Sequence, residues 1–77
     1  MEIKLFRKDK KLMCRLPNED KDTVAGEIFL TIMFFGADKI KEKLGKEKPV
    51  FVPTCEVSKQ EENDIAKINA IFDKMYN

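Results

Sequence analysis

The sequence predicts a small α+β domain whose elements follow in the order β-β-α-β-α. Three observations predict it: apolar and charged residues alternate near the start, a long apolar segment with helical flanks lies in the middle, and an amphipathic segment ends the chain. We expect a three-stranded sheet with two helices on one face and water on the other. At 77 residues, the chain makes one compact domain, residues 1–77.

A β-hairpin is predicted at the start, because residues 2–7 and 11–16 both alternate with a period of two. The intervening residues 8–10 are short and polar and contain no glycine, so the turn type and the register stay open. The side chains predicted to share the buried face are Ile3, Leu5, Leu12, Cys14 and Leu16.

A helix is predicted through the middle of the chain, from an N-cap at Asp22 or Thr23 to about Leu44. Gly36 lies inside it and costs about 1 kcal/mol relative to alanine, so a break there is an alternative, with Asp38 capping a second short helix. The β-branched and aromatic content of residues 27–35 also allows a buried strand. The helical flanks and a spacing near 3.6 residues favour the helix.

The last two predicted elements are a short strand over residues 49–52 and a helix that ends near Met75. Pro53 lacks a backbone N–H, so the strand lies at a sheet edge or bends there, with residues 54–57 as a further stretch of strand. Ser58 and Glu61 form a capping box at the helix start. The apolar side of this helix consists of Ile65, Ile68, Ile71, Phe72 and Met75.

The middle helix carries more apolar surface than a small domain needs, with an apolar arc of roughly 200° where about 100° is usual. A wheel over residues 24–44 is centred on Phe29, Ile32, Met33, Ile40 and Leu44. We expect Leu30, Phe34 and Phe35, which flank that centre, to form a protein interface. The alternative is that the sheet and the last helix cover all three.

Catalytic and metal chemistry is not indicated by the residue types present. The chain has no histidine and only two isolated cysteines, Cys14 and Cys55, and it has no phosphate-binding loop. Both thiols are expected to be free, with Cys14 in the core. We expect no enzyme, cofactor, metal or small-molecule substrate. Four acids near the last helix are candidate cation ligands or, as we favour, solvated acids at a helix N-terminus: Glu56, Glu61, Glu62 and Asp64.

Nucleic-acid binding is the alternative function, because basic residues surround the predicted hairpin turn. The net charge is only +1, whereas nucleic-acid modules are usually clearly basic. A solvated hairpin edge also explains the lysines. The candidate contacts are Lys4, Phe6, Arg7, Lys8, Lys10, Lys11 and Arg15, with Phe6 facing away from the core to stack on a base.

The sequence therefore favours a non-enzymatic protein-binding module that forms a homodimer. Its small size and lack of chemistry are typical of a phage or mobile-element accessory protein, such as an inhibitor or regulator that occludes a surface of its partner. The first residues do not form an apolar signal segment and no apolar run reaches the ~20 residues that span a bilayer. We expect a cytoplasmic protein without membrane contact.

Overall fold

The structure, a computed structural model that describes residues 1–76, forms a mixed four-stranded sheet with three helices on one face. The strands lie in the order β3-β2-β1-β4. β1 is antiparallel to β2 and parallel to β4, and β2 is antiparallel to β3. The elements are β1 Glu2–Lys8, β2 Lys11–Cys14, β3 Thr23–Val24, α1 Ala25–Phe35, α2 Asp38–Leu44, β4 Val50–Pro53 and α3 Lys59–Met75.

The predicted hairpin is confirmed as β1 and β2. Lys8 pairs with Lys11, which leaves Asp9 and Lys10 as a two-residue turn. Both have positive φ, 52° and 67°, as a type I′ turn requires. This turn usually contains glycine or asparagine, so the local sequence did not identify it.

The prediction of a three-stranded sheet is wrong, because Thr23 and Val24 form a fourth strand on the free edge of β2. We expected Asp22 or Thr23 to cap the middle helix, but Val24 is the N-cap and makes no side-chain capping bond. The β-branched pair suits a pleated edge. The Asp22 carboxylate instead accepts a hydrogen bond from Arg15.

The middle segment is helical rather than a buried strand. The prediction of one helix as far as Leu44 is wrong, because the alternative break at Gly36 is present and the domain has three helices instead of two. Gly36 has φ 91°, in the left-handed region that glycine adopts without a steric penalty. The predicted cap at Asp38 is wrong, because the N-cap of α2 is Ala37, with no side-chain capping bond. The break lets α2 turn and place Ile40 and Leu44 in the core.

One apolar core joins the sheet to the helices. Phe51 of β4 lies between Phe29 of α1 and Phe72 of α3, with ring centroids 5.6 and 6.0 Å away. Such aromatic pairs add stabilisation beyond the area they bury. The other core residues include Ile3, Leu5, Leu12, Cys14, Leu16, Ile32, Ile65 and Ile68.

β4 is an edge strand, as Pro53 predicted, and α3 covers part of its free edge. The Asn69 side-chain oxygen accepts from the Phe51 N–H at 2.9 Å, and its amide donates to the Phe51 carbonyl at 3.1 Å. The strand does not continue through residues 54–57. Thr54 instead donates from both its backbone N–H and its hydroxyl to the Leu5 carbonyl.

α3 matches its prediction closely. Ser58 accepts from the Glu61 N–H, and the Glu61 carboxylate accepts from the Ser58 N–H, so the capping box is present. Ile71 is the exception on the apolar side, since it is exposed. It lies where the apolar side of the helix borders the polar side.

Candidate functional site

α1 carries four large apolar side chains that remain about half exposed or more. Phe34 and Phe35 are 75% and 71% exposed, and Leu30 and Met33 are 55% and 48% exposed. These four residues are called the α1 apolar surface below. It contains all three side chains that the sequence singled out, Leu30, Phe34 and Phe35.

Met33 belongs to this surface although the helical wheel placed it at the centre of the buried face. That wheel assumed one continuous helix as far as Leu44. The break at Gly36 gives α2 its own orientation, so Ile40 and Leu44 do not extend the buried side of α1. The residues that α1 buries are Ala25, Ile28, Phe29 and Ile32, and their centre is rotated away from Met33.

The α1 apolar surface offers a ligand almost no polar contact. Glu27 is the single charged residue of α1. The Thr31 hydroxyl donates to the Glu27 carbonyl within the helix at 2.9 Å, so it is already satisfied. A partner would therefore be bound here by burial of apolar area, with few hydrogen bonds or ion pairs.

A cavity of about 280 Å³ adjoins the N-terminal end of α1. Its apolar lining comes from the hairpin, from β3 and from the first turns of the helix, where Gly26 is exposed and Phe29 is buried: Leu12, Val24, Gly26 and Phe29. Five charged side chains also line it: Arg7, Lys10, Lys11, Glu61 and Asp64. Sequence reasoning missed this cavity. The one sequence signal for it is Gly26, a glycine near the start of a predicted helix at a position where the backbone does not require glycine.

The basic residues of the hairpin do not form one cluster. Arg7 lies on the helix side of the sheet, where its guanidinium donates to both Glu61 oxygens at 3.0 and 2.9 Å and to the Glu56 carbonyl at 2.8 Å. Its donors are therefore engaged within the domain. This bidentate pair fixes the end of β1 against the start of α3.

The Arg7–Glu61 pair shifts the pKa of each partner in the direction that favours its charged form. The hydrogen bond from Arg7, with a second from the Ser58 N–H, lowers the pKa of Glu61 from 4.5 to about 2. The same carboxylate raises the pKa of Arg7. Glu61 is thus a structural acid that caps α3 and holds the hairpin.

The remaining basic candidates lie on the open side of the sheet or at the turn. Arg15 and Lys8 both approach the Asp22 carboxylate, at 3.0 and 3.8 Å. Within residues 1–76, Lys4, Lys10 and Lys11 form no ion pair. Phe6 is half-buried and lies beside Lys4 and Arg15 in a shallow depression, so an aromatic ring and a few cations do meet on this side.

The two cysteines are free thiols. Burial, with a smaller contribution from the Asp22 charge, raises the pKa of Cys14 to about 11, so this thiol stays protonated and unreactive at neutral pH. Cys55 is half-buried. Across residues 1–76, no three His, Cys, Asp or Glu side chains lie close enough to hold a metal ion.

The helices formed by residues 1–76 lack the length and apolar content that crossing a bilayer requires. Comparison with known protein families, with curated proteins and with solved structures gives no match for this chain. A functional conclusion therefore depends on the surfaces themselves, and the α1 apolar surface is the most unusual of them.

Proposed function

We propose that this protein is a non-enzymatic binding module that self-associates through the α1 apolar surface, with a second copy of the chain as its partner. The observation that carries the proposal is the exposure of Leu30, Met33, Phe34 and Phe35, each about half or more, on one helix of 11 residues. Exposed apolar patches rimmed by polar residues typically mark interaction sites.

The size of the surface supports a stable partner. The four side chains expose on the order of 500 Å², since a large aromatic side chain alone can bury 150–250 Å². A standard interface takes about 800 Å² from each partner, so these side chains supply part of one and neighbouring residues supply the rest. Full burial of one such side chain contributes about 1.5–3 kcal/mol.

The chemistry of the surface favours a second copy as the occupant. An apolar helix face with one charge, Glu27, needs an opposing surface that is equally apolar and equally poor in charge. A two-fold homodimer supplies this automatically, because the same patch is presented by both subunits. A net charge of +1 per chain adds little repulsion between them.

The test is the solution mass of the protein, measured by light scattering over a range of concentrations. We expect twice the mass of one chain for the wild type and the mass of one chain for Phe34→Asp, with an unchanged circular dichroism spectrum because Phe34 lies outside the core. Asn63→Asp, which adds the same charge at an exposed position of α3, is the matched control and should stay dimeric.

A wild type that has the mass of one chain at every concentration would overturn the homodimer. So would a folded Phe34→Asp variant that keeps the dimer mass. Phe34→Ser guards against a folding defect in the aspartate variant, because it removes the ring without burying a charge. In that case too, loss of the dimer with a native spectrum is the supporting result.

Single-stranded nucleic acid on the open side of the sheet is the second candidate. Phe6 lies on β1 directly across from Met13, and the depression beside it also contains Lys4 and Arg15. An aromatic ring on a sheet can stack on a base while nearby cations contact phosphates. Against this, Asp22 already pairs with Arg15 and Lys8, and Arg7 is engaged by Glu61.

A gel shift with a single-stranded oligonucleotide at two salt concentrations tests this candidate. We expect binding that weakens with salt and is lost when Lys4, Lys8 and Arg15, the cations on the same side of the sheet as Phe6, are all changed to glutamate. The matched control makes the same charge change at Lys46, Lys59 and Lys67. No shift at low salt, or equal loss in both variants, removes the hairpin as a nucleic-acid site.

A further inference from the structure

An exposed phenylalanine and the cavity beside Gly26 lie at opposite ends of the same side of α1. Gly26 borders the cavity, Leu30 follows one turn later, and Phe34 one turn after that. Residues four apart lie above one another on a helix, about 6 Å apart at 1.5 Å per residue. Cavity, leucine and phenylalanine therefore form one line along the outer surface.

In a second copy of the chain related by a two-fold axis, the same line of residues runs in the opposite direction and can pack against the first. α1 runs from Ala25 to Phe35, so Leu30 is its midpoint. Two antiparallel α1 helices that cross at Leu30 overlap over their whole length, and position 34 of each then faces position 26 of the other. Such a contact is isologous and closes at two subunits.

Gly26 has no role in the single chain that another residue could not fill. Its φ is not positive, and nothing lies within 4 Å of where a Cβ would stand. Glycine is also the poorest helix former after proline. A larger side chain would project beside the mouth of the cavity, so the glycine keeps that entrance open.

The cavity is suited to an aromatic ring. Its volume of about 280 Å³ equals that of roughly nine waters at 30 Å³ each, which is ample for a phenyl group. The apolar part of its lining is Leu12, Val24 and Phe29, and the rest is mostly charged. Lys10 and Lys11 border the opening, where an ammonium group can approach the ring face.

From these observations we infer that the homodimer is an antiparallel α1 pair in which Phe34 of each subunit inserts into the cavity beside Gly26 of the other. This inference depends on the proposed self-association and adds its register. Phe35 lies about 140° from Leu30 around the helix, at 100° per residue, and is therefore outside the pairing line.

Cysteine crosslinking tests the register. In a Cys55→Ser background the remaining native thiol, Cys14, is buried and does not compete. We expect Leu30→Cys to form a covalent dimer on mild oxidation, because a residue on the two-fold axis meets its own copy within disulfide distance. Phe35→Cys, at a position more exposed than Leu30, is the control and should remain a non-covalent species.

Gly26→Leu gives a second, independent readout. It adds apolar area, so a non-specific apolar contact would be kept or strengthened, whereas a blocked cavity should weaken self-association by about tenfold or more. A dimeric wild type whose Gly26→Leu variant associates undiminished, or whose Phe35→Cys crosslinks as well as Leu30→Cys, overturns the register and leaves the homodimer intact. A monomeric wild type overturns both.

Discussion

α1 and α3 pack against the same aromatic core, but the solvent-facing side of α1 is apolar and that of α3 is charged. Phe29 from α1 and Phe72 from α3 both contact the ring of Phe51, so the two helices contribute similarly inside. Outside, seven of the 17 residues of α3 are charged. The outside of α1 has one charge and four exposed large apolar side chains.

The difference shows which features a helix needs to fold in this domain and which features of α1 folding does not need. α3 has the side-chain cap, the charged outer side and the apolar inner side that a helix needs to fold within a small domain. α1 lacks a side-chain cap and depends on packing for its position. Its exposed apolar side chains add little to the stability of one chain, and the proposed self-association would give them a role.

The largest expected effect contrasts two phenylalanines, one from each helix. Phe72→Ala should destabilise the domain by about 3–5 kcal/mol, since it leaves a cavity in the core. Phe34→Ala should change the stability of the monomer by less than about 0.5 kcal/mol, as exposed substitutions usually do. Urea unfolding at low protein concentration measures both. Equal losses in the two variants would place Phe34 in the core and remove the contrast.

A smaller effect is expected at the start of α3. Ser58→Ala should lower the free energy of unfolding by about 1 kcal/mol, because it removes the hydroxyl that accepts from the Glu61 N–H. Thermal unfolding at neutral pH measures the change. The comparison with α1 is sharpened by Val24→Ala, which removes no capping bond. Any loss of unfolding free energy in Val24→Ala should come from the packing of β3. If Ser58→Ala loses no unfolding free energy, α3 too is held by packing alone.

The smallest effect is a pH dependence that belongs to α3. The folded pKa of Glu61, about 2, lies below its ordinary 4.5, so this carboxylate stabilises the fold fully above pH 4.5. The stabilisation is lost as the pH falls from about 4.5 toward 2.

Urea midpoints between pH 7 and pH 2 test this dependence. Glu61→Gln should be less stable than the wild type at pH 7, and its difference from the wild type should shrink toward pH 2. Glu62→Gln, at the exposed neighbouring position, is the control and should keep the wild-type profile. If the two variants give the same profile, Arg7 and Ser58 do not stabilise the ionised Glu61.

The sequence predicted those parts of the fold that depend on local pattern. The hairpin alternation and the capping box at Ser58 each reflect interactions between residues close in the chain, whereas the break at Gly36 follows from the sequence only as an alternative to one continuous helix. β3 was missed because two residues are too few to show a period, and its pairing with β2 is a tertiary contact. The parallel pairing of β1 with β4 is likewise beyond local reasoning.

The candidate site was predicted in part for the same reason. An excess of apolar residues over available cover is visible in composition, and it identified Leu30, Phe34 and Phe35. Met33 was assigned to the wrong side because one wheel was extended across the break. The cavity beside Gly26 is built from five separate elements, so no local pattern could reveal it.

The contact of Asn69 with both backbone groups of Phe51 has a consequence for how copies of this chain can join. Strand-by-strand growth needs a free row of backbone donors and acceptors. Here one outer strand has its central amide and carbonyl occupied by a side chain, and the other outer strand is only two residues long. Fibril-like stacking is therefore disfavoured, and assemblies of this protein should stay finite.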